Sequence, residues 1–252
     1  MIYLKSLSAM RTMLEGGKIL CNTLKLLENS VRIGITTKEL NKIAEGYIIS
    51  NAAQPSFLGY RGYPASICTS VNEVVIHGIP SKRALQDGDI ISIDAGVYFK
   101  GYHTDAARTF AVGNITEEKK QLIKVTEQSF FEGMKYAKEG YRISDISSAI
   151  EKYVSAYGYG IVKSFTGHGV GKDLHEDPEV PNFGKPGKGA RITNGMTFAV
   201  EPMINLGGDD VEILEDEWTT VTTDAKASAH YENTICIVGG EPILITLPDA
   251  SL

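Results

Sequence analysis

The sequence predicts an α+β fold in which helices flank a mostly antiparallel sheet, and three observations carry that expectation. Apolar residues first recur at helical spacing and then give way to short β-branched runs bounded by turn residues. The same order returns in the second half of the chain. An offset of 106 to 107 residues also superposes Gly34 on Gly140, Leu40 on Ile146, Glu45 on Glu151, Tyr47 on Tyr153, Ile48 on Val154, Gly88 on Gly195 and Asp94 on Glu201. Self-similarity of this kind points to a duplicated unit. The expected organisation is one domain over 1–252, with pseudo-symmetric halves of roughly 1–113 and 114–252.

Each element has its own local reason. Leu7, Met10, Leu14, Gly17, Cys21, Leu24, Leu27 and Val31 recur at three and four and predict a helix across roughly 4–30, closed by Gly34. Thr37 is the expected N-cap of a second helix, whose apolar stripe is Leu40, Ile43, Ala44, Tyr47 and Ile48, and Pro55 closes the region. Strands are expected over 90–97 and 104–112, with turns at Asp87-Gly88 and Lys100-Gly101. Thr116 then caps a helix carrying Leu122, Ile123, Phe130, Met134 and Ala137. Ser144 begins another with Ile146, Ala149, Ile150, Tyr153 and Val154, and strands follow again.

Composition narrows the function classes. With 42% hydrophobic and 22% charged residues the chain is ordinary globular protein, able to bury a core and unlike a disordered tail. A net charge of -6 argues against a protein whose main affinity is for nucleic acid. Cys21, Cys68 and Cys236 are far apart and odd in number, so they read as buried thiols of a reducing compartment rather than as a disulfide framework. With no signal-like start and no long apolar run, no membrane association is expected and the expected location is cytoplasmic.

The chemistry-bearing residues stand out because they sit where strands disfavour them. Alternation along Ile90-Ile91-Ser92-Ile93-Asp94 puts Asp94 opposite the isoleucines, and Asp105 follows eleven residues later across the Lys100-Gly101 turn. Glu201 falls opposite the apolar residues of 196–200, and His230, Glu232 and Thr234 share a face of another run. Four unpaired acids cannot be buried in a sheet, so either they face water or cations compensate them. The segment Gly167-His168-Gly169-Val170-Gly171 excludes a helix and displays His168, with His175 seven residues on, on backbone that can approach a ligand closely. Competing motifs fail. A dinucleotide loop needs Gly at Lys172, a phosphate loop needs Gly at Thr166 and Ser or Thr at Asp173, a zincin needs His at Glu179, and no GxSxG is present. Asp94, Asp105, His168, Glu201 and Glu232 form an oxygen-rich set with one imidazole, suited to manganese, iron, cobalt or catalytic zinc. Carboxylates bridging two such ions would serve hydrolysis.

Five linked motifs carry a resemblance along nearly the whole chain: 59–68 with 72–80, 87–90 leading to Asp94, Gly167-His168-Gly169-Val170-Gly171, His175-Glu176-Asp177-Pro178, and 195–198 leading to Glu201-Pro202. Together they resemble the methionine aminopeptidases, and the short N-terminus looks like the bacterial type I form. The resemblance implies a pita-bread fold with a pseudo-twofold axis. It also implies a dinuclear site held by Asp94, Asp105, His168, Glu201 and Glu232, loaded with Co, Mn, Fe(II) or Zn and with room for a monovalent cation. His77 and His175 match the family's two non-ligand histidines, which contact substrate, and Glu201 matches the ligand also assigned proton transfer. Tyr60, Tyr63, Cys68 and Trp218 match residues that line or border the methionine pocket, with Phe198 contributing and Phe57 beside it. Leu174, His230 and Asn233 depart from the commoner pattern, as does Phe57, without removing a ligand. The implied activity removes initiator methionine from nascent polypeptides when the second residue is small and uncharged. Contact with those N-termini near the ribosome exit is expected, made by a monomer. The competing readings are a proline-directed peptidase of the same fold and a non-catalytic peptide-binding protein.

Overall fold

A computed structural model describes residues 1–252. The helices are α1 (Leu7–Ser30), α2 (Thr37–Ser50), α3 (Glu117–Met134) and α4 (Ile143–Ser155). After α2 come β1 (Gln54–Pro55), β2 (Ile67–Val71), β3 (Val74–Ile76), β4 (Ile90–Phe99) and β5 (Tyr102–Ala111). After α4 come β6 (Gly160–Ile161), β7 (Gly167–Gly169), β8 (Glu176–Val180), β9 (Thr197–Val200), β10 (Met203–Asn205), β11 (Val211–Ile213), β12 (Thr220–Thr222), β13 (Ser228–His230), β14 (Asn233–Val238) and β15 (Glu241–Leu244).

Helix starts are set by side-chain caps that shift three expected boundaries. Ser6 caps α1 by accepting from the Ala9 N–H, so the helix begins at Leu7 rather than near residue 4. Thr36, not Thr37, caps α2: its hydroxyl accepts from the Glu39 N–H while the Glu39 carboxylate accepts from the Thr36 N–H, satisfying two end groups at once. Arg142 precedes α4, which therefore starts at Ile143, with Asp145 reaching back to the Arg142 N–H. Thr116 caps α3 as expected.

All strand pairings are antiparallel and fall into four sheets, so the expected single sheet is subdivided. In the first half β4 lies between β2 and β1, and it also forms a ten-residue hairpin with β5 in register from Ile90↔Ala111 to Phe99↔Tyr102. Lys100 and Gly101 both have positive φ, 47° and 90°, the backbone of the tight turn that matches strand twist. The second half carries β15-β14-β9-β7-β8 and β13-β10-β6, while β3 joins β12 and β11 across the halves.

The internal repeat is visible in backbone detail. Thr36 bridges Ala84 where Arg142 bridges Arg191, and Thr37 donates to Arg83 O where Ile143 donates to Ala190 O. Gly34 and Gly140 share φ near 90°, as do Gly88 and Gly195. Each helix pair covers its own core. Leu20, Leu24, Leu40 and Ile48 pack on Ile67, Ile91 and Ile93; Leu122, Phe130, Ile146 and Ile150 pack on Phe198, Ile204 and Ile235. Of the three cysteines, Cys68 and Cys236 are buried as expected, but Cys21, on the helix face turned toward a surface cavity, is only half-buried. No helix is long and apolar enough to cross a membrane.

Candidate active site

The seam between the halves is where β5 meets β13 and β14. The Asp105 N–H donates to Thr234 Oγ1 (2.8 Å), that hydroxyl donates back to Asp105 O (2.8 Å), and the Glu232 N–H donates to Ala107 O (3.0 Å). Arg108 adds a bond from Nη1 to Glu232 O (2.5 Å) and from Nη2 to Asn233 Oδ1 (2.7 Å). The backbone bearing two of the acids is therefore rigid before any ion is considered.

A cavity of about 140 Å³ opens at this seam, and its walls include Asp94 from β4, Asp105 from β5, His168 from β7, Glu201 just after β9 and Glu232 between β13 and β14. The ligand atoms of Asp105, His168 and Glu232 lie within 4.8 Å of one another. His168 Nε2 stands 3.9 Å from Asp105 Oδ2 and 3.7 Å from Glu201 Oε1. Its Nδ1 is 2.9 Å from the Gly169 carbonyl, which can only accept, so the proton sits on Nδ1 and the Nε2 lone pair faces the carboxylates. A larger cavity of about 480 Å³, between α1, α3 and β5, is bordered by His230 but holds none of the four acids.

No lysine or arginine pairs with any of the four acids; the ring nitrogens that approach them are those of His168 and His230. Asp94 Oδ1, Asp105 Oδ1 and Glu232 Oε1 are buried and have no hydrogen-bond partner. Burial, reinforced by the neighbouring acids, pushes the Asp105 and Glu232 carboxyls well above the usual range. Burial also raises Asp94 to about 7 against the pull of His230, and Glu201 to about 7 against His168. Several ionised carboxylates left this way would cost several kcal/mol each, so the donor set fits divalent cations.

The glycines around His168 are required by strand packing. A Cβ on Gly167 would lie 2.4 Å from Ala199 O, and one on Gly169 would lie 2.1 Å from Asp177 O. They let β7 slot between β8 and β9.

On the other side of the cavity stand Phe57, Tyr60, Arg61, Tyr63, Cys68, His77, Leu174, His175 and Trp218. Tyr63 and Trp218 pack edge to face at 5.0 Å, and His77 meets Trp218 and Phe165 edge-on at 6.1 and 5.7 Å. His77 takes the left-handed backbone region (φ 59°), unusual outside glycine and typical of residues held in place by a site. Burial lowers its pKa to about 4, so its ring is neutral. His175 lies at the exposed mouth, stacked at 5.2 Å on Tyr60, whose hydroxyl is 2.8 Å from His175 Nδ1. Desolvation of its inner edge and the adjacent His168 lower its pKa. Burial raises the Cys68 thiol far above its usual value and keeps it protonated.

One expected pocket residue is elsewhere. Phe198 is fully buried in the second-half core, packed between β14 and β7, because strand alternation that sends Glu201 to the cavity sends Phe198 to the opposite face. Two further residues line the cavity: Arg61, which the sequence showed only inside the 59–68 motif, and Leu174, which it showed as a departure from the commoner pattern. His230, noted in the sequence as a departure, stands with Nε2 3.6 Å from Glu201 Oε2, and nothing in its local pattern signals that contact.

The family model for metallopeptidase family M24 matches residues 11–238. The chain belongs to metallopeptidase family M24. Membership in this family implies the use of divalent metal, in agreement with the unpartnered acids. Among its M24 relatives, a methionine aminopeptidase of Clostridium perfringens is 53% identical over 247 residues, covering 98% of this chain and 99% of that one. The crystal structure of methionine aminopeptidase from Rickettsia prowazekii superposes with a TM-score of 0.96 at 37% identity, over 98% of this chain and all of that one. The prolidase of Pyrococcus furiosus shares the M24 fold (TM-score 0.80, 19% identity), but the match covers 65% of its length. The pita-bread architecture expected from the sequence is thus the fold of this M24 chain.

The Tyr60 contact yields a first expected result. Tyr60→Phe removes one hydrogen bond to His175, worth about 0.5–1.5 kcal/mol, so peptidase kcat should fall by roughly two- to tenfold. The melting temperature should be unchanged, since Tyr60 is only half-buried. Steady-state kinetics beside calorimetry checks both, and an unaltered kcat would mean that Tyr60 does not orient the ring.

Proposed function

We propose that this chain is a metal-dependent aminopeptidase that releases N-terminal methionine when the second residue is small and uncharged. The observation that carries the reading is the juxtaposition, in one cavity, of unpartnered carboxylate oxygens with an aromatic and thiol-lined wall. A flexible thioether side chain is suited to such a wall, its polarizable sulfur meeting ring edges and the Cys68 thiol. The volume is on the scale of one side chain, which favours an exopeptidase over an enzyme that threads a polypeptide.

Asp94, Asp105, His168, Glu201 and Glu232 are the proposed holders of two divalent ions, drawn from Mn, Fe(II), Co and Zn. When bound, those ions supply Lewis acidity and an activated water for peptide hydrolysis. The remaining work belongs to the chain. Neutral His77 and His175 can each donate a hydrogen bond to the scissile carbonyl or accept one from the adjacent amide N–H without adding charge to the pocket. Glu201, raised to about 7 in the ion-free site, is placed to take a proton at one stage and return it to the departing amine at another. Bound cations will lower that value, which favours the accepting role first.

Support for selectivity at the second residue comes from the surroundings of His77. Phe165 and Trp218 both pack edge-on against it, and these rings would border a side chain beside the scissile bond and disfavour a long one. A lysine there would also be desolvated without a partner, at a cost of several kcal/mol. On this reading the substrates are the N-termini of new polypeptides, met in the cytoplasm near the ribosome exit by a monomeric enzyme.

The test is methionine release from Met-Ala-Ser and Met-Lys-Ser by chelated protein titrated with each metal. Met-Ala-Ser should be cleaved at least about a hundredfold faster, the ratio that about 3 kcal/mol supports. Comparable cleavage of Met-Lys-Ser would remove the selectivity claim, and cleavage of an Xaa-Pro dipeptide in preference to both would favour the prolidase-like alternative.

A further inference from the structure

Lys5 and Glu176 form a salt bridge in which both side chains are only 5% exposed. Attraction repays the desolvation of such a pair only when the geometry is good and further hydrogen bonds are made, and apolar replacements are often as stable, so its presence calls for a role other than stability. Lys5 lies in the extended segment before α1. Its N–H donates to Gly195 O (2.7 Å), and its ammonium also donates to Tyr3 O (2.9 Å). Glu176 opens β8 directly after His175, and its second oxygen accepts from the Asp173 N–H (3.3 Å).

The pair therefore closes the loop 171–176 that presents His175. The other end of this loop is clamped by β5, where the His103 N–H donates to Gly171 O (2.7 Å). The pair packs directly on the loop backbone: a Cβ on Gly171 would come within 2.3 Å of Lys5 Cε and 2.6 Å of Glu176 Oε1, so admitting one would shift the paired side chains. His175 itself is at the exposed mouth with Tyr60 as its hydrogen-bond partner. Its place along the cavity edge is set by the residue that follows it, and that residue is held by Lys5.

We propose that Lys5 and Glu176 are positioning residues for the reaction, fixing the backbone that carries His175 so that its imidazole meets the substrate at a set place. The inference rests on the reading of His175 as a substrate-contacting group. It makes the segment ahead of α1 part of the catalytic apparatus although it supplies no atom to the cavity.

Removing one partner alone would strand a buried charge and confound folding with positioning. The decisive variant is the double Lys5→Met/Glu176→Gln, which removes both charges. Lys5→Arg, which keeps the pair, and Glu176→Asp, which keeps the charge but shifts the anchor by one methylene, accompany it. Metal-loaded proteins are assayed on Met-Ala-Ser, with metal affinity by calorimetry, melting temperature, and the His175 ring resonances of ¹⁵N-labelled protein.

The double variant is expected to retain melting temperature and metal affinity. Its kcat should fall by roughly ten- to a hundredfold, the cost of about 1 Å of misplacement, with KM nearly constant. Glu176→Asp should fall in the same direction by less, and Lys5→Arg should restore wild-type kcat. The His175 resonances should move in the first two and stay in the third. Wild-type kcat in both the double variant and Glu176→Asp would overturn the proposal. So would a loss of metal affinity parallel to the loss of kcat, because the pair would then act on the ligands. Failure of the wild-type control to release methionine would instead overturn the functional reading, while the His175 resonances would still report whether the pair holds the loop.

Discussion

Replacing Glu232 by Gln is expected to abolish methionine release and, at the same time, to make the metal-free protein more heat-stable. Glu232 is 2% exposed, has one oxygen without a partner, and sits beside Asp105 and Glu201. As a proposed ligand it contributes to ion binding and hence to several kcal/mol of transition-state stabilisation. At about 1.4 kcal/mol per tenfold, its loss should lower kcat/KM by about 10³-fold or more. In the ion-free protein the same group is a liability, because its carboxyl stays buried only by holding a proton that the unfolded chain has released at neutral pH, and removing that cost should raise the melting temperature by about 2–4 °C for each kcal/mol relieved. The metal-induced rise in melting temperature should shrink or vanish. Asp105→Asn is expected to behave alike. An inactive variant whose metal-free form melts no higher than wild type would show that the acid cluster is not strained, and an active one would remove Glu232 from the ligand set. A folded wild type that binds metal but releases no methionine, whatever these variants do, would point to the non-catalytic binding alternative.

The second large effect is a reversal of pH dependence on metal removal. In the chelated protein Asp94 and Glu201 have carboxyls raised to about 7, and burial also pushes Asp105 and Glu232 well above the usual carboxylate range, against about 4 in the unfolded chain. The folded state therefore holds protons that the unfolded state has lost, and stability present at low pH is lost as pH rises through the folded values. His77, His103, His175 and His230 oppose this. Burial lowers His77 and His230 to about 4 and lowers His103 and His175 too, so as pH falls through about 6.5, where an unfolded histidine charges, they reduce stability. From pH 8 down to 6.5 that opposing effect is only partly developed and the carboxylate effect dominates, so the melting temperature of chelated protein should rise as pH is lowered across that window. With metal bound the sign inverts, because the ligands must be deprotonated and affinity falls with pH. The gap between loaded and chelated melting temperatures should thus widen from pH 6.5 to 8, as differential scanning calorimetry would show. A chelated protein whose stability climbs with pH over the window would contradict the assignment of these acids as buried and uncompensated.

The candidate site was legible in the sequence to the extent that strand chemistry made it so. Asp94 and Asp105 were exposed by being acids in β-branched runs, and the Lys100-Gly101 turn brought them within one hairpin. The contacts made by long-range closure left no local trace. His230 meets Glu201, Tyr60 meets His175 across 115 residues, and Lys5 meets Glu176 across 171. The misassignment of Phe198 has a different origin: strand alternation already sets it opposite Glu201, and a residue in a matching motif can still lie on the wrong side of its strand. The Thr36 and Ile143 boundaries differ from expectation by one residue because a capping box is decided by which oxygen reaches which N–H.

The sequence by itself determined the α+β order of elements, their repetition at 106 to 107 residues, and a set of acids and histidines that only cations could reconcile with burial. Periodicity, capping and the cost of a buried charge act over a few residues, and a reader needs nothing else to see them. Only the tertiary structure decided which acids lose their hydrogen-bond partners, which face of β9 looks into the cavity, and how far His175 is constrained. Those depend on where separate strands and the segment before α1 come to rest against one another, which no local pattern encodes.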